Sequence, residues 1–150
     1  MGTSASVNCQ LKDNICISYS DNDVNAGLLH DELINSGHNM VKYSFDIIED
    51  YTINIDTLSI AVDHIMSQSS YIIICISDKT VSSFKQAIEI NAALASNKSI
   101  IYVMTDAHYT PLNTSYLNAV VKYNKWLPAY DNDTLAHTLD ELDVILHKND

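Results

Sequence analysis

Glycine is scarce: Gly2, Gly27 and Gly37 are the only ones in 150 residues. Neither a G-x-G-x-x-G fingerprint nor a glycine-rich phosphate loop can be written with them, which sets aside dehydrogenases and nucleotide phosphatases. Basic side chains are also few. Eight Lys and Arg against nineteen Asp and Glu give a formal net charge of −11, and a surface of that sign repels phosphate backbones and anionic bilayers. We therefore expect no nucleic-acid and no membrane partner. No apolar run approaches the ~20 residues that cross a bilayer, and the first residues lack the basic start and apolar core of a signal peptide, so the expected location is cytoplasmic. His30, His38, His64, His108, His137 and His147 show no H-x-x-x-H spacing, and no metal site is expected. Cysteine is equally sparing. Cys16 and Cys75 sit inside apolar runs and Cys9 in the leading segment, a pattern of small core hydrophobes rather than a disulfide framework.

What remains is 47% hydrophobic, enough for one domain with a proper core. Residues 1–12 and 148–150 have no sustained periodicity and read as tails, leaving a domain over 13–147 without internal repeat or low-complexity segment. Residues 14–19 (NICISY) form a first strand that runs into the polar string Ser20, Asp21, Asn22 and Asp23, a helix cap. Val24, Leu28, Leu29, Leu33 and Ile34 then give an apolar helical stripe, with Gly37 where a left-handed terminator belongs. Residues 40–45 alternate as an edge strand would, and 46–54 form a loop carrying Ile47, Ile48 and Tyr51 among acids. Ile55, Leu58, Ala61, Val62, Ile65 and Met66 repeat as an amphipathic helix.

The most informative stretch is residues 71–95, YIIICISDKTVSSFKQAIEINAALA. Its first six residues carry no charge, as suits a central parallel strand covered on both faces. Ser77 to Thr80 are turn formers, and Ser83-Phe84-Lys85-Gln86 has the S-x-x-Q form of a capping box, so a helix starts at Ser83 and carries Glu89 in its second turn. Residues 99–105 are a further strand, 106–115 are turn-rich around Pro111, 117–123 can be read either way, and 125–128 form a short fifth strand. Asp131 or Asp133 caps a final helix with Leu135, Leu139, Leu142, Ile145 and Leu146 inside. Alternating strands and helices imply an α/β flavodoxin-like sandwich of three layers, its five parallel strands in the order 2-1-3-4-5. In that order the ligand crevice opens between strands one and three, flanked by the polar loops at 18–23 and 77–84, with Glu89 near it.

These residues resemble those of the TIR domain family, the Toll and interleukin receptor and resistance-protein domains. ICISYSDND resembles the family's first box, SDKTVSSFKQAIEI the segment around its glutamate, and Trp126 its third box. The enzymatic pattern Ser, any residue, Trp, Cys, two residues, Glu maps onto Ser83 through Glu89, matching at serine and glutamate and placing Lys85 and Gln86 at the other two positions. The resemblance implies cleavage of the nicotinamide–ribose bond of NAD+ in immune or stress signalling, with NAD+ as substrate, no further cofactor, and self-association through TIR–TIR contacts. Nicotinamide departs neutral from a cationic pyridinium, so the barrier lies in positive charge growing on the ribose, which a carboxylate beside it stabilises. Glu89 would be the catalytic residue. Tyr19, Ser20, Ser83, Phe84 and Lys85 would bind substrate, Phe84 as an apolar wall, and Ile47, Ile48 and Tyr51 would form an interaction loop.

Plainer readings exist for each residue. Glu89 four positions after Lys85 makes the weaker, reversed helical ion pair of a solvated surface, Ser83 is a cap, Asp21 and Asp23 are caps, and Trp126 is core or half-buried surface. A silent TIR-like scaffold acting by homotypic contacts is the alternative to the enzyme. A receiver-like domain, with Asp21 and Asp23 holding magnesium, Asp78 accepting phosphate and Lys125 nearby, is a third.

Overall fold

A computed structural model describes residues 13–43, 54–110 and 117–146. Five strands, β1 (Asn14–Ser18), β2 (Asn39–Met40), β3 (Tyr71–Ile76), β4 (Ser99–Met104) and β5 (Trp126–Pro128), form one sheet in the order β2-β1-β3-β4-β5, every neighbouring pair parallel. Five α-helices cover it: α1 (Val24–Asn35), α2 (Ile55–Gln68), α3 (Phe84–Ala95), α4 (Leu117–Tyr123) and α5 (Asn132–Ile145). The flavodoxin-like order expected from the sequence is the one observed.

The faces separate by the two-residue period of β3. Ile72, Ile74 and Ile76 join Leu58, Val62, Ile65, Ile90, Leu117 and Val120 on the face covered by α2, α3 and α4, whereas Ile73 and Cys75 join Ala26, Leu29, Leu33, Leu142 and Leu146 beneath α1 and α5. Cys16 lies on the first face and Cys75 on the second, both free thiols on adjacent strands. Burial pushes the Cys16 thiol up to about 12 and the Cys75 thiol well above its usual value.

Several local readings are corrected. The buried stripe of α1 is Ala26, Leu29 and Leu33, while Val24, Leu28 and Ile34 face outward; the alanine, too small to register as a hydrophobic signal, sets the phase. Ile55 is exposed at the start of α2. Of the expected edge strand over 40–45, residues 44 and 45 lie outside the described residues, and among 40–43 only Met40 is in strand: β2 pairs Asn39 and Met40 with Asn14 and Ile15, and Val41 adds one bond from its N–H to the Ile15 carbonyl at 2.8 Å. Residues 117–123 are helical. The S-x-x-Q box is half formed. Ser83 Oγ accepts from Gln86 N at 3.1 Å, but the Gln86 side chain turns inward. Asp131 caps α5 in a reciprocal box with Thr134. Gly37, at φ +91°, ends α1 as a Schellman motif, with His38 N–H on Leu33 O and Gly37 N–H on Ile34 O. The expected loop residues Ile47, Ile48 and Tyr51, and both terminal tails, lie outside the described residues. Among the described residues no helix is long and apolar enough to cross a membrane.

Ile73 is fully buried in the central strand. Ile73→Ala should cost about 2–5 kcal/mol through lost transfer energy and the cavity left behind, read as a lower urea midpoint at unchanged m-value.

Candidate functional site

The chain leaves β1 toward β2 on one side and reaches β3 on the other, so the sheet's order reverses between β1 and β3. Open α/β sheets bind ligands in the crevice at such a point. Here α3 starts over the carboxyl ends of both strands. Its amide Gln86, fully buried, donates from Nε2 to Cys75 O at 2.6 Å and Ser18 O at 3.2 Å. The two carbonyls fix which end of the amide is nitrogen. Gln86 Oε1 has no hydrogen-bond partner among the described residues.

One turn later on the same face, Glu89 is 1% exposed. Its Oε1 accepts from Ser18 Oγ at 2.7 Å and its Oε2 from Tyr43 Oη at 2.5 Å. Lys85 Nζ stands 3.5 Å from the same Oε2, 3.6 Å from Asp21 Oδ1, and donates to Tyr19 O at 3.4 Å. Three donors therefore serve a carboxylate with about four lone-pair sites. Burial raises the Glu89 pKa, opposed by the Lys85 charge and by the hydrogen bonds from Tyr43 and Ser18. The plainer expectation of a solvated Lys85–Glu89 pair is corrected: the pair exists, but Lys85 is 8% exposed and Glu89 is sealed. Burial first, then the Glu89 charge, pushes the Tyr43 phenol far up, so it stays a donor.

Glu89, Lys85 and Tyr43 wall a cavity of about 260 Å3, also lined by Cys16, Tyr19, Asp21 and His30. Tyr19 Oη meets His30 Nδ1 at 2.9 Å, and their rings cross edge-on at 5.6 Å. Desolvation lowers the His30 pKa and raises that of Tyr19 to about 12, so both are neutral near pH 7. His30 Nε2 is buried and has no partner among the described residues. Cys16 lines the same cavity, its thiol pKa raised first by burial and then by the Glu89 charge.

Of the candidate site residues, Glu89, Lys85 and Tyr19 come together on this cavity. Ser20 is buried beside it and accepts from Asn22 N at 3.4 Å; Ser83 caps α3; Phe84 is 41% exposed; none of the three is among the lining residues. Tyr43 and His30 line the cavity, and Ser18 and Gln86 hold Glu89 and α3 over the strand ends; none of the four is among the substrate-binding or catalytic candidates read from the sequence. Ser18 lies within ICISYS beside Tyr19, and nothing in that run marks it as the hydroxyl that meets Glu89. Tyr43 reads only as one position of an alternating strand.

A second cavity, of about 520 Å3, opens across the turn after β1, over the carboxyl ends of β3 and β4. Its floor is tied together: Thr105 Oγ1 donates to Asp23 Oδ2 at 2.5 Å, and Asn25 Nδ2 donates to Thr105 O at 3.0 Å and Tyr130 O at 3.4 Å. Asp23 also caps α1, accepting from Ala26 N at 3.1 Å. With Asp21 facing Lys85 and Asp23 committed to its cap, the acidic pair of a receiver site is not assembled. Among the described residues no three His, Cys, Asp or Glu are grouped to hold a metal ion.

A comparison with curated protein sequences finds no significant match. Among solved structures the chain is similar to the TIR domain of the Toll-related receptor TRR-2 from the lower metazoan Hydra magnipapillata, at 15% identity and a TM-score of 0.62, covering 89% of this chain and 97% of that one. At that identity the likeness concerns the fold. The family model described as TIR domain matches residues 15–139, from the second residue of β1 into α5. With the strand order, the position of the glutamate helix and this match in agreement, the chain belongs to the TIR domain family.

Proposed function

We propose that this domain cleaves the nicotinamide–ribose bond of NAD+, releasing nicotinamide and ADP-ribose or a cyclic ADP-ribose, with Glu89 as the catalytic residue. The observation that carries this reading is a carboxylate sealed at the switch point of the sheet yet facing a cavity. A domain serving only as a scaffold gains nothing from the desolvation cost of burying it. In the ionised form, Glu89 stabilises positive charge developing on the ribose, and the lone pair left by Ser18, Tyr43 and Lys85 can take a ribose hydroxyl. Little acid assistance is needed, because nicotinamide leaves as a neutral molecule. Attack by water gives ADP-ribose, and attack by the substrate's own adenine gives the cyclic product. The low dielectric around the carboxylate strengthens its pull on a growing cation. Self-association would accompany this activity in immune or stress signalling.

A second reading, a silent scaffold working by homotypic TIR contacts, is favoured by one feature. Lys85 occupies the tryptophan position of the enzymatic pattern, and its ammonium neutralises part of the charge that Glu89 would lend to the ribose.

Incubation of concentrated protein with NAD+, followed by chromatography, should show nicotinamide release that Glu89→Ala lowers by at least about a hundredfold while circular dichroism stays native. Turnover by neither protein, even under crowding that promotes assembly, would sink the enzyme reading in favour of the scaffold. The pH profile gives a second check. Because burial raises the Glu89 pKa, kcat/KM should climb with pH through a value above the ordinary ~4.3 of a glutamate. Lys85→Met removes a charge that lowers this pKa, so the acidic limb should move to still higher pH.

A further inference from the structure

The 520 Å3 cavity is unassigned by any of the foregoing, and its size falls within the ~300–1,000 Å3 of small-molecule sites. It lies where α/β sheets take ligands, outside the carboxyl ends of the strands. Its charged lining is Asp23, Asp78 and Asp106 against Lys79, an imbalance that repels anions and favours a neutral ligand rich in hydrogen-bond donors. Vicinal sugar hydroxyls and an exocyclic amine supply such donors to carboxylates, and the half-buried Tyr130 adds an aromatic wall for a flat ring. The floor is preorganised by the Thr105–Asp23 and Asn25–Tyr130 bonds.

The linings of the two cavities meet in the turn after β1. Asp21 lines the first and Asn22, the next residue, lines the second. At about 260 Å3 the Glu89 cavity falls below the usual range for a complete ligand and suits one end of a longer one. We propose that the second cavity is a nucleoside site that takes the uncharged adenosine of the dinucleotide, the pyrophosphate staying outside its acidic lining, while the nicotinamide riboside meets Glu89. The identity of the occupant rests on the NAD+ reading above; recognition of a nucleoside by this lining does not.

Titration of 15N-labelled protein with adenosine, with inorganic phosphate as the opposing probe, tests this without any turnover. Adenosine should shift the amides of Asp78, Asp106 and Ala107 saturably, and phosphate should not. Ala107 is exposed on the cavity wall, so Ala107→Trp should leave the fold intact by circular dichroism and weaken adenosine about tenfold or more. The proposal fails if adenosine produces no saturable shift, if its shifts map to Tyr43 and Lys85 instead, if phosphate binds as well as adenosine, or if Ala107→Trp leaves its affinity unchanged. Saturable adenosine binding here in a protein that leaves NAD+ intact would uphold the nucleoside site while removing the enzyme reading.

Discussion

The site depends on one buried amide. Gln86 satisfies two main-chain carbonyls, at Ser18 on β1 and Cys75 on β3, where the strands diverge toward their separate helices. A buried carbonyl left without a donor costs ~1–3 kcal/mol, so the contact does more than decorate the helix. It sets the rotation of α3 about its axis and the height of its first turn over the sheet. With Gln86 pointed down, Lys85 must point toward the turn after β1, and Glu89 falls over Ser18. Ser83 assists by capping the helix one residue ahead of Phe84, which fixes where α3 begins.

Electrostatics then refine what packing has placed. Glu89 is held by two neutral hydroxyl donors and one ammonium, and that ammonium is shared with Asp21 and a main-chain carbonyl. The group of Glu89, Lys85 and Asp21 sums to one negative charge with Glu89 ionised, inside a wall of neutral Tyr19 and His30. A site so arranged still attracts a cation, but less strongly than a bare carboxylate would. Lys85 therefore acts as a counterweight, keeping a deeply desolvated acid ionisable while tempering its field.

Legibility from sequence followed the range of each interaction. The uncharged run over 71–76, the cap at Ser83 and the terminator Gly37 are local signals, and the elements they announced are present. The parallel order was legible because helix and strand alternate. Glu89 was legible through resemblance. Its burial was not, since Lys85 four residues earlier is the ordinary mark of a solvated face, and only the tertiary contacts with Ser18 and Tyr43 turn that pair inward. Gln86 was misread for the same reason: the capping box offered it a local partner, and two carbonyls distant in sequence won. The phase of α1 was missed because Ala26 packs as core without carrying a strong hydrophobic signal.

The hydrogen bonds that hold Glu89 join residues 71 and 46 positions apart along the chain. Closing such long loops costs entropy before any contact rewards it, and contacts of this range form slowly. A partly folded chain consequently has no partial site: until β1 and the segment after β2 have both docked, the acid stays hydrated. The Glu89 carboxyl is therefore held on both oxygens only once both segments are in place.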